Sequence, residues 1–130
     1  MATNALTPYW DNGDTLTAHA AAALFGKRFV AISGPRTEGN PTVNYPAAGG
    51  SKTFGVTGYD VAVNGKVTVW HQPAVILPVT AGAQLAAGDL VTSDAQGRAV
   101  TAGTGQQILG LCLDPAVAGA DAVIDRSVRG

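Results

Sequence analysis

The sequence has one cysteine, few charged residues and no long apolar run, and each scarcity excludes a class of protein. The single cysteine, Cys112, rules out an internal disulfide. No apolar run approaches the ~20 residues of a membrane-spanning helix, and the first residues lack the basic and apolar segments of a secretion signal. We therefore expect a protein that is made in the cytoplasm and has no membrane partner.

Charge is scarce and nearly balanced. Charged residues make up 13% of the 130-residue chain and the formal net charge is −1, whereas soluble domains usually carry ~25% charged residues. The cationic residues are scattered, so nothing predicts a nucleic-acid partner. A neutral surface rich in Ala, Gly and Thr suits a protein that packs against other proteins. A bias in the nucleotide composition of the genome is an alternative explanation of the same amino-acid composition.

Residues that could carry catalysis or hold a metal ion are few and poorly spaced. His19 and His71 are the only histidines, and together with Cys112 they show no spacing typical of a zinc site. Cys112 lies among leucines, where we expect a small buried apolar side chain. The glycines at 103–105 lack the helix and lysine of a phosphate-binding loop. The sequence predicts no catalytic residue, no cofactor and no metal site, and therefore not an enzyme.

Short apolar segments separated by turn residues fill the stretch from Val79 to Asp125. Residues 94–97 have Asp at the first and Gly at the fourth position of a type I turn. Apolar pairs flank this turn at 90–91 and 99–100. The pattern predicts a β-hairpin.

Three further strands are predicted upstream, over residues 53–63, 66–72 and 74–80. The middle one is rich in β-forming residues, and Asn64-Gly65 before it is a strong hairpin signal. Prolines bracket the core of the third strand, which favours a sheet edge or a change of direction there.

The first fifty residues show weaker patterns. Residues 1–13 are predicted to form an arm, whose Tyr9 and Trp10 either fold back on the core or anchor a partner. Residues 14–26 favour a short helix by propensity, and a strand is predicted over 27–33.

Residues 34–52 form the longest segment without a regular pattern, rich in Pro and Gly. A loop of this length is usually functional or disordered. We expect it either to order against a neighbouring protein or to stay disordered. Arg36 and Tyr45 are its candidate contact residues.

Two stretches of the chain resemble each other. With one gap at Tyr59, residues 54–65 and 109–119 share an apolar-Gly-apolar start followed by Asp-x-Ala-Val-x-Gly. The alignment places Gly65 on Gly119, and a further strand signal follows each glycine.

The repeat predicts two related β halves, at about 18–72 and 81–128, that share one core within a single domain. We therefore predict a mainly β fold, a small β-barrel or sandwich-like domain. An extended N-terminal arm at 1–13 and a long loop at 34–52 complete the predicted fold.

Four phrases occur in order in the C-terminal part of the chain. They are Ala-Gly-Ala-Gln-Leu-Ala-Ala-Gly-Asp-Leu-Val at 81–91, Asp-Ala-Gln-Gly-Arg-Ala at 94–99, Ile-Leu-Gly-Leu-Cys-Leu at 108–113 and Ala-Gly-Ala-Asp-Ala-Val-Ile at 118–124. In this order they resemble the small capsid decoration (cement) proteins of tailed bacteriophages. Residues 53–78 match that family loosely, and the first fifty residues match it poorly.

The resemblance implies a β-rich virion structural protein without catalysis, often a homotrimer, bound to major capsid protein on the outside of the expanded icosahedral shell. It supplies no catalytic residue. As partner contacts we predict Tyr9, Trp10, Arg36 and Tyr45. Deletion of residues 1–13 is expected to weaken attachment to the shell while leaving the fold intact.

Two alternatives stay open at this stage. One is another virion β domain, such as part of a tail or head fibre. The other is a non-catalytic ligand-binding or carrier domain, although a lipoyl or biotinyl carrier needs a lysine at its hairpin tip and residues 94–97 contain none.

Overall fold

The computed structural model describes residues 3–9, 15–71 and 75–128, and over these ranges the regular structure consists of β-strands. None of the described segments forms a helix of the length and apolarity needed to cross a bilayer. The strands are β1 Thr15–Ala20, β2 Phe29–Thr37, β3 Asn40–Asn44, β4 Thr53–Thr57, β5 Lys66–Trp70, β6 Ile76–Thr80, β7 Leu90–Ser93, β8 Ala99–Thr101, β9 Gly110–Cys112 and β10 Asp121–Asp125. The predicted mainly β fold is confirmed.

The first five strands pair in the order β1-β3-β2-β4-β5, and β5 pairs back onto β1, so that the order closes on itself. β1 runs parallel to β3, with Ala20 opposite Val43, and antiparallel to β5, with Ala18 opposite Val67. All four side chains are fully buried. Along β1 and β5 these buried side chains alternate with more exposed ones, which is the two-residue period of a strand with one face inside.

The last five strands repeat this pairing in the order β6-β10-β9-β7-β8. β10 pairs with β6 as β5 does with β1, and β7 pairs with both β8 and β9 as β2 does with β3 and β4. Between β6 and β8 there is a single parallel bridge, Ala81 to Ala99. The molecule is two five-stranded sheets packed on each other, not one closed barrel of ten strands.

The edge position predicted from the prolines is confirmed for β6. Pro78 lies opposite Val123 of β10, the one strand with which β6 forms a ladder. A proline is tolerated in such a strand because its missing N–H interrupts no ladder on the other side.

Hydrogen bonds define which positions of the two sheets are equivalent. The Asn64 N–H donates to the Ala20 carbonyl, and the Gly119 N–H donates to the Ala81 carbonyl. Asn64 and Gly119 both have left-handed backbone, with φ of 66° and 87°. The counterpart of Gly119 is therefore Asn64, and the sequence alignment that placed Gly65 there is wrong by one residue beyond its gap.

Without the gap, Gly55 of β4 coincides with Gly110 of β9, and β5 and β10 have the same burial pattern. Two isolated bridges are also equivalent, Leu24 to Val61 and Leu85 to Ala116. The strands thus show the same pairing order twice. The division of the chain at 18–72 and 81–128 stays a prediction.

The larger of two clusters of buried side chains joins the sheets. Phe29 and Val56 of the first sheet pack there with Leu77 and Ile124 of the second. The smaller cluster fills the first sheet alone. Burial of apolar surface contributes ~25 cal/mol per Å² and is the main stabilising contribution to the fold. Because the larger cluster contains side chains of both sheets, it holds them together as one body.

The N-terminal segment is extended and lies against this body. The side chain of Leu6 belongs to the larger core cluster. The Leu6 N–H donates to the Gly58 carbonyl, and the Tyr9 N–H donates to the Ile76 carbonyl. Removal of residues 1–13 would therefore also remove a core side chain, so we no longer expect that deletion to leave the fold unchanged.

The helix favoured over 14–26 is wrong for its described part, where Thr15–Ala20 is β1. Pairing with β3 and β5 buries Ala18 and Ala20, and an isolated helix this short has little stability of its own. Non-local burial therefore outweighs the helix propensity of the alanine run.

The long irregular loop predicted over 34–52 is wrong for its first part. Thr37 and Asn40 pair across a two-residue turn, Glu38-Gly39, in which both residues have positive φ. Such a turn usually has Asn or Asp at its first position, and Glu at that position conceals it in the sequence. An exposed ion pair with Lys66 at 3.0 Å lowers the pKa of Glu38.

The hairpin predicted around residues 94–97 is confirmed, between β7 and β8. The Asp94 carboxylate accepts from the Gln96 and Arg98 N–H groups at 2.9 Å and from the Arg98 side chain at 2.8 Å. The turn is stabilised by hydrogen bonds between residues that are close in sequence. By contrast, Asn64-Gly65 lies in a longer connection between β4 and β5, not in a tight hairpin.

Candidate partner-binding surface

The predicted contact residues lie on separate elements. Tyr9 is 58% exposed beside the start of β6, Arg36 is exposed on the outer part of β2, and Tyr45 follows β3. Trp10 lies outside the described residues. No hydrogen bond, ion pair or ring contact joins the three described side chains to one another, and their role as partner contacts stays a prediction.

Tyr45 has a structural partner. Its half-buried hydroxyl accepts from the Phe25 N–H at 2.8 Å, and its ring packs against the smaller core cluster. Phe25 itself is 56% exposed, and the Arg28 guanidinium lies 5.0 Å from its ring centroid. The exposed aromatic side chain beside Tyr45 is therefore Phe25. Its position in an alanine-rich segment gives no sign of this exposure in the sequence.

A groove beside Tyr9 contains an ion pair. Lys27 contacts Asp121 at 3.0 Å, between the N-terminal segment and Pro78, in an open volume of about 290 Å³. Lys27 has left-handed backbone at φ 60°, and Gly88 is its counterpart in the second sheet at φ 93°. A lysine in a conformation that favours glycine is strained, and its ion pair joins the first sheet to the second.

The turn region beside the Leu24–Val61 bridge forms a second groove, which we call the first-sheet groove. It has a volume of about 390 Å³ and is lined by Thr3, Phe25 and Asp60 as well as the bridge residues. The Asp60 carboxylate accepts from the Asn4 side chain at 2.9 Å and from the Gly26 N–H at 2.8 Å. These bonds make Asp60 a structural residue that holds the N-terminal segment.

An equivalent groove, the second-sheet groove, lies beside the Leu85–Ala116 bridge. Its volume is about 290 Å³, and Pro115 and Val117 line it. Val117 is 64% exposed and nearby Leu113 is 37% exposed. Each sheet therefore presents one open apolar groove at the same place in its fold.

Exposed large apolar side chains are the feature that sequence reasoning missed. Among the described residues they are Tyr9, Phe25, Ile32, Val63, Leu90, Leu113 and Val117. Apolar surface near grooves is typical of a protein that binds another protein. Of these, only Tyr9 is among the contact residues predicted from the sequence, because the others occur in apolar segments typical of a buried core.

The side chains that could act in catalysis or metal binding are engaged in packing and hydrogen bonding within the fold. His71 stacks on Phe54 at 4.4 Å, and its Nδ1 lies 2.9 Å from the Phe54 carbonyl. Burial raises the pKa of the Cys112 thiol, and the buried Arg126 guanidinium lies 5.5 Å from the Phe29 ring centroid. In the parts of the chain that the structure describes, no group of three His, Cys, Asp or Glu side chains could hold a metal ion.

Comparisons with known proteins point to a virion. Residues 10–127 match the sequence model of a family described as phage cement protein. No curated protein matches the chain.

Among solved structures, the chain is similar to the N base of the head fibre protein gp8.5 of bacteriophage phi29, with a TM-score of 0.68. The alignment covers 88% of this chain and 95% of that one at 24% sequence identity. At this identity the likeness shows the fold alone.

Proposed function

The chain belongs to the phage cement protein family, and we propose that it decorates the outside of the mature icosahedral shell and stabilises contacts between major capsid proteins. It is thus a structural protein of the virion capsid. The match of the family model over residues 10–127 is the observation that supports this proposal most strongly. The proposed role requires no catalytic step and no cofactor.

The architecture suits this role. Two sheets that share one core form a rigid body, and exposed apolar side chains lie on the turns of both sheets. A rigid body loses little conformational freedom when it binds, so more of its contact energy appears as affinity. Because a shell offers many equivalent sites, a modest interface at each one stabilises the whole particle by mass action.

The low charge predicts how attachment responds to salt. Three ion pairs occur among the described residues, Lys27–Asp121, Lys66–Glu38 and Arg98–Asp94, and in each one both charges are already paired within this chain. An apolar interface is screened little by added ions. We therefore expect attachment to change little between low and physiological salt.

The finer parts of the proposal concern assembly. We expect a homotrimer and synthesis in the host cytoplasm. Native mass spectrometry of the purified chain tests the first: a trimer without partner supports it, and a monomer would show that any trimer forms only on the shell.

Binding to shells tests the proposal itself. Expanded shells of the phage that encodes this chain, prepared without it, are mixed with the purified protein and sedimented. We expect saturable binding and a higher temperature of shell disruption. The proposal is wrong if the folded protein does not co-sediment with expanded shells, or if saturated shells disrupt at an unchanged temperature.

A second candidate function is the base of a head fibre, which the likeness to the phi29 head fibre base favours. The two functions differ in what projects from the particle. Electron microscopy of virions would show compact knobs for a cement protein and fibres for a head-fibre base.

A further inference from the structure

The repeated fold allows the two sheets to be compared position by position, and the N-terminal segment lies on the turn region of only the first sheet among the described residues. In the first sheet, Gly26, Gly58 and Asp60 form a seat for the N-terminal segment. The Leu6 N–H donates to the Gly58 carbonyl at 2.6 Å, and the Asp60 N–H donates to the Thr3 carbonyl at 2.8 Å. An extended segment thus covers this seat through backbone hydrogen bonds.

Among the described residues, no segment covers the counterpart seat in the second sheet. Its positions are Ala87, Leu113 and Pro115, and all three are exposed, whereas Gly26 and Gly58 are buried. The equivalence rests on matching bonds: the Gly58 N–H donates to the Thr68 carbonyl of β5, and the Leu113 N–H donates to the Val123 carbonyl of β10. The described part of the chain therefore holds two equivalent seats and covers one of them.

The chemistry of the uncovered seat defines what would fit it. Pro115 has no N–H, so the bond that Asp60 makes cannot be repeated, while the Leu113 carbonyl corresponds to the Gly58 acceptor. Ala87 has a methyl group where Gly26 has none. The exposed side chains of Leu113, Pro115 and Val117 give the seat an apolar surface. Pro115 and Val117 continue this surface into the groove, which Gln84 and Asp121 line on its polar side. It fits an extended apolar segment that offers one backbone N–H.

We propose that this second seat, formed by Ala87, Leu113, Pro115 and Val117, binds an extended apolar segment of the major capsid protein. This inference rests on the function proposed above. The chain shows the manner of binding, because its own residues 3–6 occupy the equivalent seat. A second copy of the chain is a poorer occupant, since each copy already uses its N-terminal segment on its own first sheet.

A matched pair of substitutions tests the proposal. Val117→Asp places a charge on the second seat, and Val63→Asp places the same charge on the corresponding turn of the first sheet. The two side chains are 64% and 55% exposed, so both variants should fold, and melting curves check this. We expect Val117→Asp to weaken binding to expanded shells at least tenfold and Val63→Asp to weaken it less than threefold.

The outcomes separate this inference from the function on which it rests. If the wild-type protein does not bind shells, the proposed function fails. If wild type binds and Val117→Asp binds equally well, or if both variants lose binding equally, the second seat is not the site and only this inference fails.

A photo-crosslinking residue at position 117 identifies the occupant. A crosslink to the major capsid protein on assembled shells supports the proposal. A crosslink to another copy of the chain, on shells or in solution, would overturn it and assign the seat to self-association.

Discussion

Two glycines at which a neighbouring strand leaves no room for a side chain predict where one added methyl group destabilises the fold. Gly110 on β9 and Gly55 on β4 are equivalent glycines that lie against the strand following each of them. A Cβ at Gly110 would run into the Ile124 side chain and lie 2.9 Å from the Asp125 carbonyl oxygen. A Cβ at Gly55 would lie 2.6 Å from both the Trp70 carbonyl oxygen and the Val69 side chain. Gly110→Ala and Gly55→Ala therefore should both destabilise the fold.

The size of the effect follows from what must move. Overpacking a core by one methyl group costs about 1–3 kcal/mol, and at Gly110 the obstructing strand β10 is paired on both sides, with β9 and β6. We expect a loss near the upper end, about 3 kcal/mol. For a domain of this size each kcal/mol lowers the melting temperature by roughly 3–5 °C, so the midpoint should fall by about 10 °C.

Equilibrium unfolding in urea with an unchanged m-value measures the loss. Gly34→Ala is the matched control, because no heavy atom lies within 4 Å of a Cβ there and its φ is not positive. We expect that control to stay within about 0.5 kcal/mol of wild type. The reasoning is refuted if Gly110→Ala is as stable as Gly34→Ala.

Two further predictions concern the N-terminal segment and the cysteine. Leu6→Ala should lower the free energy of unfolding by about 2–3 kcal/mol, since Leu6 is a core side chain. Thr7 is exposed, so Thr7→Ala is the control and should change the free energy of unfolding little. Equal stability of the two variants in urea would contradict this prediction. Burial raises the pKa of the Cys112 thiol above its ordinary 9.0, so above about pH 9 the unfolded chain binds fewer protons than the folded one and stability falls as pH rises. The free energy of unfolding of Cys112→Ala should lack this part of the pH dependence. The prediction is wrong if, above about pH 9, the free energy of unfolding falls with pH by the same amount in Cys112→Ala and in wild type.

The elements that the sequence predicts correctly are those specified by nearby residues. Asp94 makes its hydrogen bonds within the turn it begins, so the hairpin can be recognised from a few letters. The edge position of β6 follows in the same way from Pro78 and its missing N–H.

The elements that the sequence predicts wrongly have two different causes. β1 is a strand because Ala18 lies opposite Val67, a contact that the helix propensity of its own residues cannot reveal. The hairpin around Glu38 is concealed because the turn residue is unusual and the strands are bulged between Ile32 and Thr37. For β1 the pairing is non-local and outweighs local propensity, whereas the β2–β3 hairpin is local and only its turn residue and bulges conceal it.

Which side chains are exposed is harder to predict from the sequence than which segments form strands. Tyr45 is a predicted contact because it is one of the few large or charged residues of its segment, yet its hydroxyl accepts from the Phe25 N–H within the body. Val117 is 64% exposed and is not among the predicted contacts, because it stands in an apolar segment. Which apolar side chains point outward depends on strand register, and a single-residue change of register exchanges the two faces.

Comparison of the two sheets shows how closely the first one is packed at the seat of the N-terminal segment. A Cβ at Gly26 would lie 2.5 Å from the Asn4 carbonyl oxygen and 2.7 Å from the Tyr59 Cα. Glycine at this position is therefore required both by the N-terminal segment and by the neighbouring turn of the first sheet. Ala87 occupies the equivalent position in the second sheet and is exposed, so a methyl group fits where the described part of the chain leaves the seat uncovered.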